Sequence, residues 1–451
     1  MDADTRAALD RALGETWRDD YPWELLTRLT ELDRFAGHPG ERRAADLVAD
    51  ALQTAGARDV TTDTFDLQVW SRGTTELAVT APVDRSFEAI ALPYSPAGDV
   101  HAPVVDVGHG TPGEIDELGD TLDGAIALAA TDSPDSGRFV HRMEKYGHAV
   151  AAGARAFVFR NHKPGRLPPT GSLRFDREAA IPGVGVSKET GDWLVEYADR
   201  DATLHLRVDA QTDPGEGVNA HGVFGPEDAD EKVVVLAHHD AHDIAEGALD
   251  NGCGVATMVT AARTLAPVSD QFERRVRFAS VGAEEVGLVG SQALADRLDP
   301  ETVAAVVNLD GAGRYRTLRG FTHGTTEVEA ALDDLVARTG RSVTVEDVIH
   351  PFSDHWPFLR QGVPAVQLHS VTPERGRGWG HTHADTRDKA DARNIREHGM
   401  LAALLVADLA GVDGPPRSVP RPDSDALAEL LVDQGYESGM RAADIWPPEW
   451  D

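Results

Sequence analysis

The pattern of apolar and polar positions changes along the chain and divides it into regions. Residues 23–56 have apolar residues at helical spacing, and a His-Pro-Gly turn at 38–40 separates two predicted helices. Residues 60–67 alternate as a strand does. Over residues 69–212 short β-rich runs lie between Gly and Pro turns, at 126–130, 156–160 and 183–187. This stretch predicts a separate β-rich module inserted into the first unit.

After Gly217 predicted strands and helices alternate. The strands cover residues 232–237, 275–281, 304–309 and 365–368, and the helices cover 252–265, 288–297 and 394–410. Such alternation predicts an α/β fold, in which helices cover both faces of a mixed, mostly parallel sheet. We therefore divide the chain into an α/β unit (1–68 and 213–412), an inserted module (69–212) and a Pro-rich linker with a C-terminal extension (413–451).

Charge narrows the possible partners. The chain has 76 acidic and 43 basic residues, a net charge of -33, and only five of the basic residues are lysines. Such a chain repels nucleic acid and anionic membranes, so we expect neither as a partner. Acidity combined with scarce lysine favours adaptation to high salt over simple solubility. Cys253 is the single cysteine, and no secretory signal is evident, so we expect a cytoplasmic protein without an intrachain disulfide.

Carboxylates and imidazoles gather where the predicted strands end. Parallel strands bring their carboxyl ends to one edge of the sheet, so residues far apart in sequence converge there. These residues are His238, Asp240, Asp250, Glu284, Glu285, Asp310 and His381. Imidazole and carboxylate suit zinc, and one carboxylate can bridge two ions, which polarise a carbonyl and lower the pKa of a bridging water. In the Glu284-Glu285 pair one carboxylate can bind metal while the other takes the proton from the water.

The order and spacing of these residues resemble a known family. The motifs are His238-x-Asp240, Asp250-Asn251-Gly252-x-Gly254, Glu284-Glu285, Asn308-Leu309-Asp310 and His381-Thr382-x-x-Asp385-Thr386. Together they resemble metallopeptidase family 28, which includes bacterial dizinc aminopeptidases and glutamate carboxypeptidase II. Segments 34–41 and 353–365 are similar to that family too. Another dizinc peptidase family places its bridging Asp much later after the first His than Asp250 lies here.

The resemblance implies a zinc-peptidase fold, two Zn²⁺ per chain (replaceable by Co²⁺ or Mn²⁺) and a role for each residue. His238 and Asp310 would bind one zinc, Glu285 and His381 the other, and Asp250 would bridge them. Glu284 would be the general base. Asp240 would orient His238 from behind, as carboxylates commonly do for metal-binding imidazoles, and Asp385 would steady the loop of His381.

The inserted module has a resemblance of its own. Residues 124–128, 151–158 and 181–187 are similar to a protease-associated domain. In this family that domain is inserted between the first strands of the catalytic domain, which is where it falls here. The resemblance implies a lid or a substrate-channel element rather than a part of the catalytic machinery.

Several positions have competing interpretations. His239, His242 and Asp243 crowd the loop after His238 and are alternative ligands, but the His-x-Asp motif favours His238. His383 competes with His381, and the register of the His-Thr-x-x-Asp-Thr motif favours His381. Cys253 is expected to pack rather than to react.

The donor for the oxyanion is open. Some family members have a tyrosine directly before the last histidine ligand, where this chain has Gly380. His355 is our predicted substitute, and a core role for it is the alternative.

These residues predict a zinc exopeptidase acting on peptides, first of all an aminopeptidase. A carboxypeptidase or dipeptidase is the alternative, with Arg314, Arg316 and Arg319 holding the substrate carboxylate. A glutaminyl cyclase-like enzyme is third, and a metal-free binding protein is fourth. The oligomeric state is not predicted.

Overall fold

The computed structural model describes residues 3–135, 138–373, 378–412 and 414–451. Three helices open the chain: α1 (Ala3–Thr16), α2 (Tyr21–Thr30) and α3 (Pro39–Thr54). The amphipathic spacing of α2 buries Leu25, Leu26 and Leu29 on one face. Helix α3 begins at Pro39, because proline needs no backbone N–H in the first turn. The predicted pair of helices on either side of residues 38–40 is therefore present.

The inserted module is built from short strands and three helices, and the long strands β1 and β8 lead into and out of it. Its elements are β1 (Arg58–Ala81), β2 (Arg85–Phe87), β3 (Ile90–Ala91), β4 (Gly98–Asp106), α4 (Pro112–Leu118), β5 (Ile126–Ala130), α5 (Arg142–Ala151), β6 (Ala156–Arg160), β7 (Gly183–Val186), α6 (Lys188–Ala198) and β8 (Thr203–Phe224). Strands β4 to β7 pair in parallel. Ile126 and Leu128 pack on the side of α6, whereas Ala127 and Ala129 pack on the side of α4 and α5. The module thus has a layered core of its own.

The second half of the chain alternates strand and helix. Its elements are β9 (Lys232–His238), α7 (Cys253–Leu265), β10 (Arg275–Val281), α8 (Val289–Arg297), β11 (Val303–Leu309), β12 (Leu318–Phe321), α9 (Thr326–Thr339), β13 (Val343–Glu346), α10 (Trp356–Arg360), β14 (Ala365–Ser370), α11 (Ala392–Ala410), α12 (Ser424–Asp433) and α13 (Tyr436–Ala443). None of the helices in the described ranges is long and apolar enough to cross a bilayer.

The central sheet confirms the predicted α/β fold. Its strand order is β13-β12-β14-β11-β9-β10-β8, with β14, β11, β9 and β10 parallel to one another and β8 antiparallel to β10. Val233 and Val235 face the core formed with α2, α3, α7 and α11, whereas Val234 and Leu236 face α8 and α10. Each such buried side chain contributes about 1.5–3 kcal/mol. Alternation within one strand therefore produces the three layers.

Strands β1 and β8 form one long antiparallel ribbon that joins the two units. Trp70 is paired with Thr212 near its middle, and Val79 with Leu204 near one end. The end of β8 at Val223 pairs with β10, and its start at Leu204 pairs with β4. The predicted strand at 60–67 is thus much longer. The predicted domain boundaries at 68/69 and 212/213 fall inside the ribbon, and the division itself stays a prediction.

The C-terminal extension contains the two helices α12 and α13. Gly435 has a left-handed backbone (φ 75°) between α12 and α13 and so divides the helical stretch. Leu427, Leu431 and Met440 join the apolar core around α8 and α10. Helix α13 also packs on α5, since a Cβ added at Gly147 would lie 2.0 Å from the Ala442 carbonyl oxygen. The extension therefore braces the inserted module against the α/β unit.

Candidate metal centre

The predicted site residues meet at the carboxyl edge of the central sheet. His238 ends β9, Glu284 and Glu285 follow β10, and Asp310 follows β11. The other two predicted ligands come from loops: Asp250 from the turn before α7, and His381 from the segment after β14. Parallel pairing of β9, β10 and β11 brings these strand ends together, as the sequence predicts.

The potential metal ligands form two adjacent groups. One contains His238, Asp250 and Asp310, and the other contains His242, Glu285 and His381. Asp250 reaches both groups, since its Oδ1 is 3.4 Å from Nε2 of His238 and its Oδ2 is 3.4 Å from Nε2 of His381. Its carboxylate is thus placed to bridge two ions. The five predicted ligands converge, and His242 joins them.

The separations between these atoms fit zinc. Tetrahedral zinc with bonds of 2.0–2.1 Å holds neighbouring ligand atoms about 3.3–3.4 Å apart. Nε2 of His381 is 3.3 Å from Oε2 of Glu285, and both histidine–Asp250 distances are 3.4 Å. Oε1 of Glu285 is buried and accepts no hydrogen bond from any described residue. A carboxylate in that position needs a cation, so the donor set fits a pair of zinc ions.

Asp240 organises the site from behind. It is fully buried, and its Oδ1 lies 3.4 Å from Nδ1 of His238. Its two carboxylate oxygens also accept hydrogen bonds of 3.1 Å from the backbone N–H groups of Glu284 and Glu285. Although burial raises the pKa of Asp240, its bond to His238 and that histidine's charge bring the pKa below its ordinary value. Asp240 therefore orients one ligand and fixes the loop that carries another.

The loop of Asp250 is held by Asp385 and Asn251. Asp385 accepts hydrogen bonds from the backbone N–H groups of Leu249 (2.6 Å) and Asp250 (3.0 Å). The Asn251 side chain donates to the Leu309 carbonyl (2.9 Å) and accepts from the Gly311 N–H (3.2 Å). Asp385, predicted to steady the loop of His381, thus also fastens the Asp250 loop to it.

Glu284 lines the cavity beside the ligand groups and belongs to neither of them. Burial raises its pKa well above the ordinary value, and the negative charges of Glu285, Asp354 and Asp310 raise it further against the opposing effect of His238. A carboxylate with a raised pKa accepts a proton more readily. This environment suits the predicted general base.

Arg314 donates hydrogen bonds to two of the predicted metal ligands. The sequence did not predict this contact. Nη2 of Arg314 donates to Oδ1 of Asp250 (2.7 Å) and to Oδ1 of Asp310 (3.2 Å). Although burial opposes it, the charge of Arg314 and the bonds from the two histidines hold the pKa of Asp250 well below its ordinary value. Arg319 pairs with Glu346 (3.2 Å), and Arg316 is exposed. Two of the three arginines considered for a substrate carboxylate are thus already paired.

His355 does not fit the role of oxyanion donor. It is fully buried, its Nδ1 lies 3.2 Å from Nδ2 of Asn308, and its ring stacks on His323 at 4.2 Å. It is not among the described residues that line the cavity. It lies behind Asp310, whose Oδ2 accepts a 2.6 Å hydrogen bond from Ser353. This placement favours the alternative core role.

The other competing residues are placed as follows. Cys253 is fully buried, and burial raises the pKa of its thiol to about 12, which fits packing. Nδ1 of His239 is bonded to the Ser280 hydroxyl (3.0 Å), and Asp243 is paired with Arg72 (2.6 Å). His383 is exposed, whereas His381 lies in the ligand group.

The module reaches the metal centre through the segment 170–176. The Thr170 N–H donates to the His381 carbonyl (2.8 Å), and the Ser172 hydroxyl donates to the Glu285 carbonyl (2.7 Å). His381 has a left-handed backbone (φ 55°), which costs about 1 kcal/mol or more in a non-glycine residue and so needs such support. No motif in the sequence indicated these contacts. The module thus holds the backbone of Glu285 and His381, the two residues of the second group that the sequence predicts as ligands.

Between module and α/β unit lies a cavity of about 1200 Å³, lined by Glu284, His381 and Arg142 among others. Nε of Arg142 donates to the Ser172 carbonyl (2.7 Å), and no other hydrogen bond of its guanidinium is present among the described residues. A Cβ at Gly171 (φ 131°) would lie 2.1 Å from its Nη1, so the arginine crosses a position open only to glycine. Burial lowers the pKa of Arg142 only to about 10, so it stays a cation at neutral pH.

Comparisons with known proteins show which families and relatives this chain resembles. Residues 219–406 match the model of peptidase family M28, and residues 100–194 match that of the PA domain. The aminopeptidase YwaD of Bacillus subtilis is 26% identical over 432 residues, covering 92% of this chain and 90% of its own. The zinc aminopeptidase BSAP of Bacillus subtilis is similar in structure at 25% identity, with a TM-score of 0.67 over 86% of this chain and 94% of that one. A peptidase M28 precursor from Shewanella amazonensis has the same fold at 22% identity, with a TM-score of 0.78 over 94% and 100% of the chains.

Proposed function

Since this chain is a member of peptidase family M28 with an inserted PA domain, we propose that it is a zinc aminopeptidase that releases N-terminal residues from peptides. The observation that carries the proposal is the convergence of two ligand groups on the carboxylate of Asp250, beside the free carboxylate of Glu284. The names of the relatives, which include a zinc aminopeptidase, support the same activity.

The ligand groups would hold two Zn²⁺ ions. His238 and Asp310 belong to the first site, Glu285 and His381 to the second, and Asp250 lies between them. When bound there, zinc would supply Lewis-acid chemistry, by which the carbonyl of the scissile peptide bond would be polarised and the pKa of a bound water lowered. Co²⁺ and Mn²⁺ are expected as substitutes, because imidazole and carboxylate ligands bind both of them.

Glu284 is the general base and then the general acid of the proposed reaction. Its carboxylate takes a proton from the attacking water and then gives that proton to the amine of the departing peptide. Its raised pKa suits both steps, since the proton is accepted readily and is held until the amine forms. Asp240 keeps this carboxylate in place by accepting the 3.1 Å hydrogen bond from the Glu284 N–H.

Arg142 is our proposed donor to the oxyanion. The oxygen of the scissile carbonyl gains negative charge as water attacks, and a fixed cation nearby stabilises that charge. Arg142 lines the cavity with Glu284 and His381, and its terminal nitrogens make no hydrogen bond to described residues. Gly380, where some family members have tyrosine, lines the same cavity.

Charge in the cavity favours recognition of a free α-amine. The carboxylates of Asp132, Asp135 and Asp347 line the cavity away from the ligands, and they suit a cationic group. Arg314 and Arg319 are paired with carboxylates of the protein. Arg142 is the observation that favours a carboxypeptidase instead, because its free nitrogens could hold an α-carboxylate.

Two substrate classes separate these activities. The aminopeptidase is expected to hydrolyse amino-acid p-nitroanilides and to leave amino-blocked dipeptides intact, and removal of zinc by a chelator should abolish the activity. Hydrolysis of only the amino-blocked dipeptides would support the carboxypeptidase and overturn the proposal. A matched exposed-residue variant, Glu329→Gln, should behave as the unchanged enzyme does.

We also propose that the protein is adapted to high salt and acts in the cytoplasm. The net charge of -33 with few lysines supports the first proposal, because salt screens repulsion between the carboxylates. Melting temperature should rise from low to molar salt, and equal melting temperatures would contradict it. Cell fractionation would test the location.

A further inference from the structure

His242 lies against the second ligand group. Its Nε2 is 3.0 Å from Oε2 of Glu285, and its ring meets that of His381 edge to face at 4.7 Å. The side chain is almost fully buried, with 6% of its surface exposed. It follows Asp240 by two residues, so the turn that leaves β9 brings both residues to the site.

Neither ring nitrogen of His242 makes a hydrogen bond to a described residue. The short distance between Nε2 and Glu285 is therefore not a hydrogen bond, since the donor direction does not meet the carboxylate oxygen. Two atoms that bind the same metal ion lie close together but point at the ion rather than at each other. The arrangement of His242 Nε2 and Glu285 Oε2 has this form. Burying an imidazole without a hydrogen-bond partner costs folding free energy, and binding to a metal ion would supply the missing partner.

The loop that carries His242 is rigidly held. Arg34 is buried and donates to three backbone carbonyls of this loop: His239 (2.7 Å), Glu246 (2.8 Å) and Gly247 (2.9 Å). The ring of Phe35 stacks on the ring of His242, with the two ring centroids 6.3 Å apart. These contacts keep the imidazole beside Glu285.

We propose that His242 is an additional ligand of the second metal, which it shares with Glu285, His381 and the bridging Asp250. With bonds of 2.0–2.1 Å, a separation of 3.0 Å corresponds to an angle of about 90–95° at the metal, within the range of five-coordinate zinc. The two sites then differ, with one histidine in the first and two in the second. This inference rests on the proposed two-zinc function.

The test counts coordinated histidines in the full-length enzyme loaded with Co²⁺. Cobalt shifts the ring N–H proton of each bound imidazole far outside the ordinary NMR range, so the expected number of shifted signals is three, from His238, His242 and His381. The variant His242→Gln should lose one signal, and its second Zn²⁺ should bind 10–100-fold more weakly in competition with a chelator. His242→Asp supplies a carboxylate and should recover most of that affinity. His383→Gln, at an exposed position, should keep all three signals.

Two signals in the unchanged enzyme would overturn the proposal, even if His242→Gln weakened metal binding, because a histidine that only positions Glu285 gives that result. Absence of shifted signals altogether would refute the proposed function as well, so the two failures are distinguishable. If His242→Gln did not fold, the signal count of the unchanged enzyme would still decide.

Discussion

Two sheet edges face each other across the cavity, and they are built alike. In the α/β unit the ends of β9, β10 and β11 carry proposed metal ligands, and in the module the ends of β5 and β6 carry Thr131, Asn161 and His162. Both sheets collect polar residues where parallel strands end. The α/β edge has carboxylates and imidazoles at zinc-fitting distances, whereas the module edge combines a hydroxyl, an amide and an imidazole with the carboxylate of Asp132. Architecture thus gathers the polar groups, and residue type decides their chemistry.

The α/β edge is supported from two sides. Asp240, Asn251 and Asp385 hold it from within the unit. The module holds it from outside, where Thr170 and Ser172 donate hydrogen bonds to the backbone of the His381 and Glu285 loops. We therefore expect loss of chemistry from changes on the α/β edge, and smaller losses of placement and stability from most changes in the module.

The largest effect should come from Glu284→Gln in the α/β edge. The amide cannot accept the proton of the water, so kcat should fall by about 10²–10⁴-fold, or roughly 3–5 kcal/mol. Zinc content should not change, because Glu284 is outside both ligand groups. Steady-state kinetics with metal analysis measures both, and Glu329→Gln is the matched control. Near-normal turnover in Glu284→Gln would refute the mechanism.

Arg142→Ala tests whether the module edge supplies chemistry too. Loss of the cation near the developing oxyanion should lower kcat by about 10²–10³-fold, with little change in zinc content. Such a loss would show that a side chain of the module acts on the substrate, so that both edges contribute to the chemistry. Arg155→Ala, an exposed arginine of the module, is the control. A rise in KM without a fall in kcat would instead assign Arg142 to substrate binding.

Ser172→Ala should have a smaller effect that is confined to placement. The buried hydroxyl donates to the Glu285 carbonyl (2.7 Å), and its loss leaves that carbonyl unsatisfied at a cost of about 1–2 kcal/mol. Stability in urea should fall by this amount, and zinc should bind the second site several-fold more weakly. Ser71→Ala on the exposed face of β1 should change neither. An unchanged second-site affinity would show that the module does not support Glu285.

The smallest expected effect is a pH dependence of folding stability that arises from one residue of the module. Lys145 is buried, with Nζ 2.8 Å from the Ala130 carbonyl, and burial lowers its pKa to about 8. Because the unfolded lysine keeps its proton up to about pH 10.4, stability should rise above pH 8, by about 1 kcal/mol between pH 7 and 9. Lys145→Met should remove this part of the pH dependence in urea unfolding. An identical pH dependence in both proteins would contradict the buried, shifted lysine.

The elements that follow from local pattern could be predicted from the sequence. Strands β5, β6 and β10 have their predicted bounds, because apolar runs between turn residues are a local signal. The ligands could be predicted from their motifs and from the rule that parallel strand ends meet. Their convergence in the structure agrees with this, although the role of each ligand stays a prediction.

Other features depend on contacts that no local pattern encodes. Segment 164–173 is rich in Pro and Gly and reads as a loop, yet it holds the ligand loops through Thr170 and Ser172. The full length of β1 depends on pairing with β8, about 140 residues later. The His-x-Asp motif favours His238 over His242 as a metal ligand. The motif does not encode the turn after Asp240, which brings His242 back to Glu285.

The ribbon of β1 and β8 has a consequence for engineering. The chain enters and leaves the module on two adjacent, paired strands, so a short turn between Trp70 and Thr212 could close them into a hairpin. Such a truncated protein would keep every proposed zinc ligand but lack Arg142 and Ser172. The same junction could accept a module from another relative. The ribbon is thus a natural grafting point, at which the module can be exchanged while Glu284 and every proposed zinc ligand are retained.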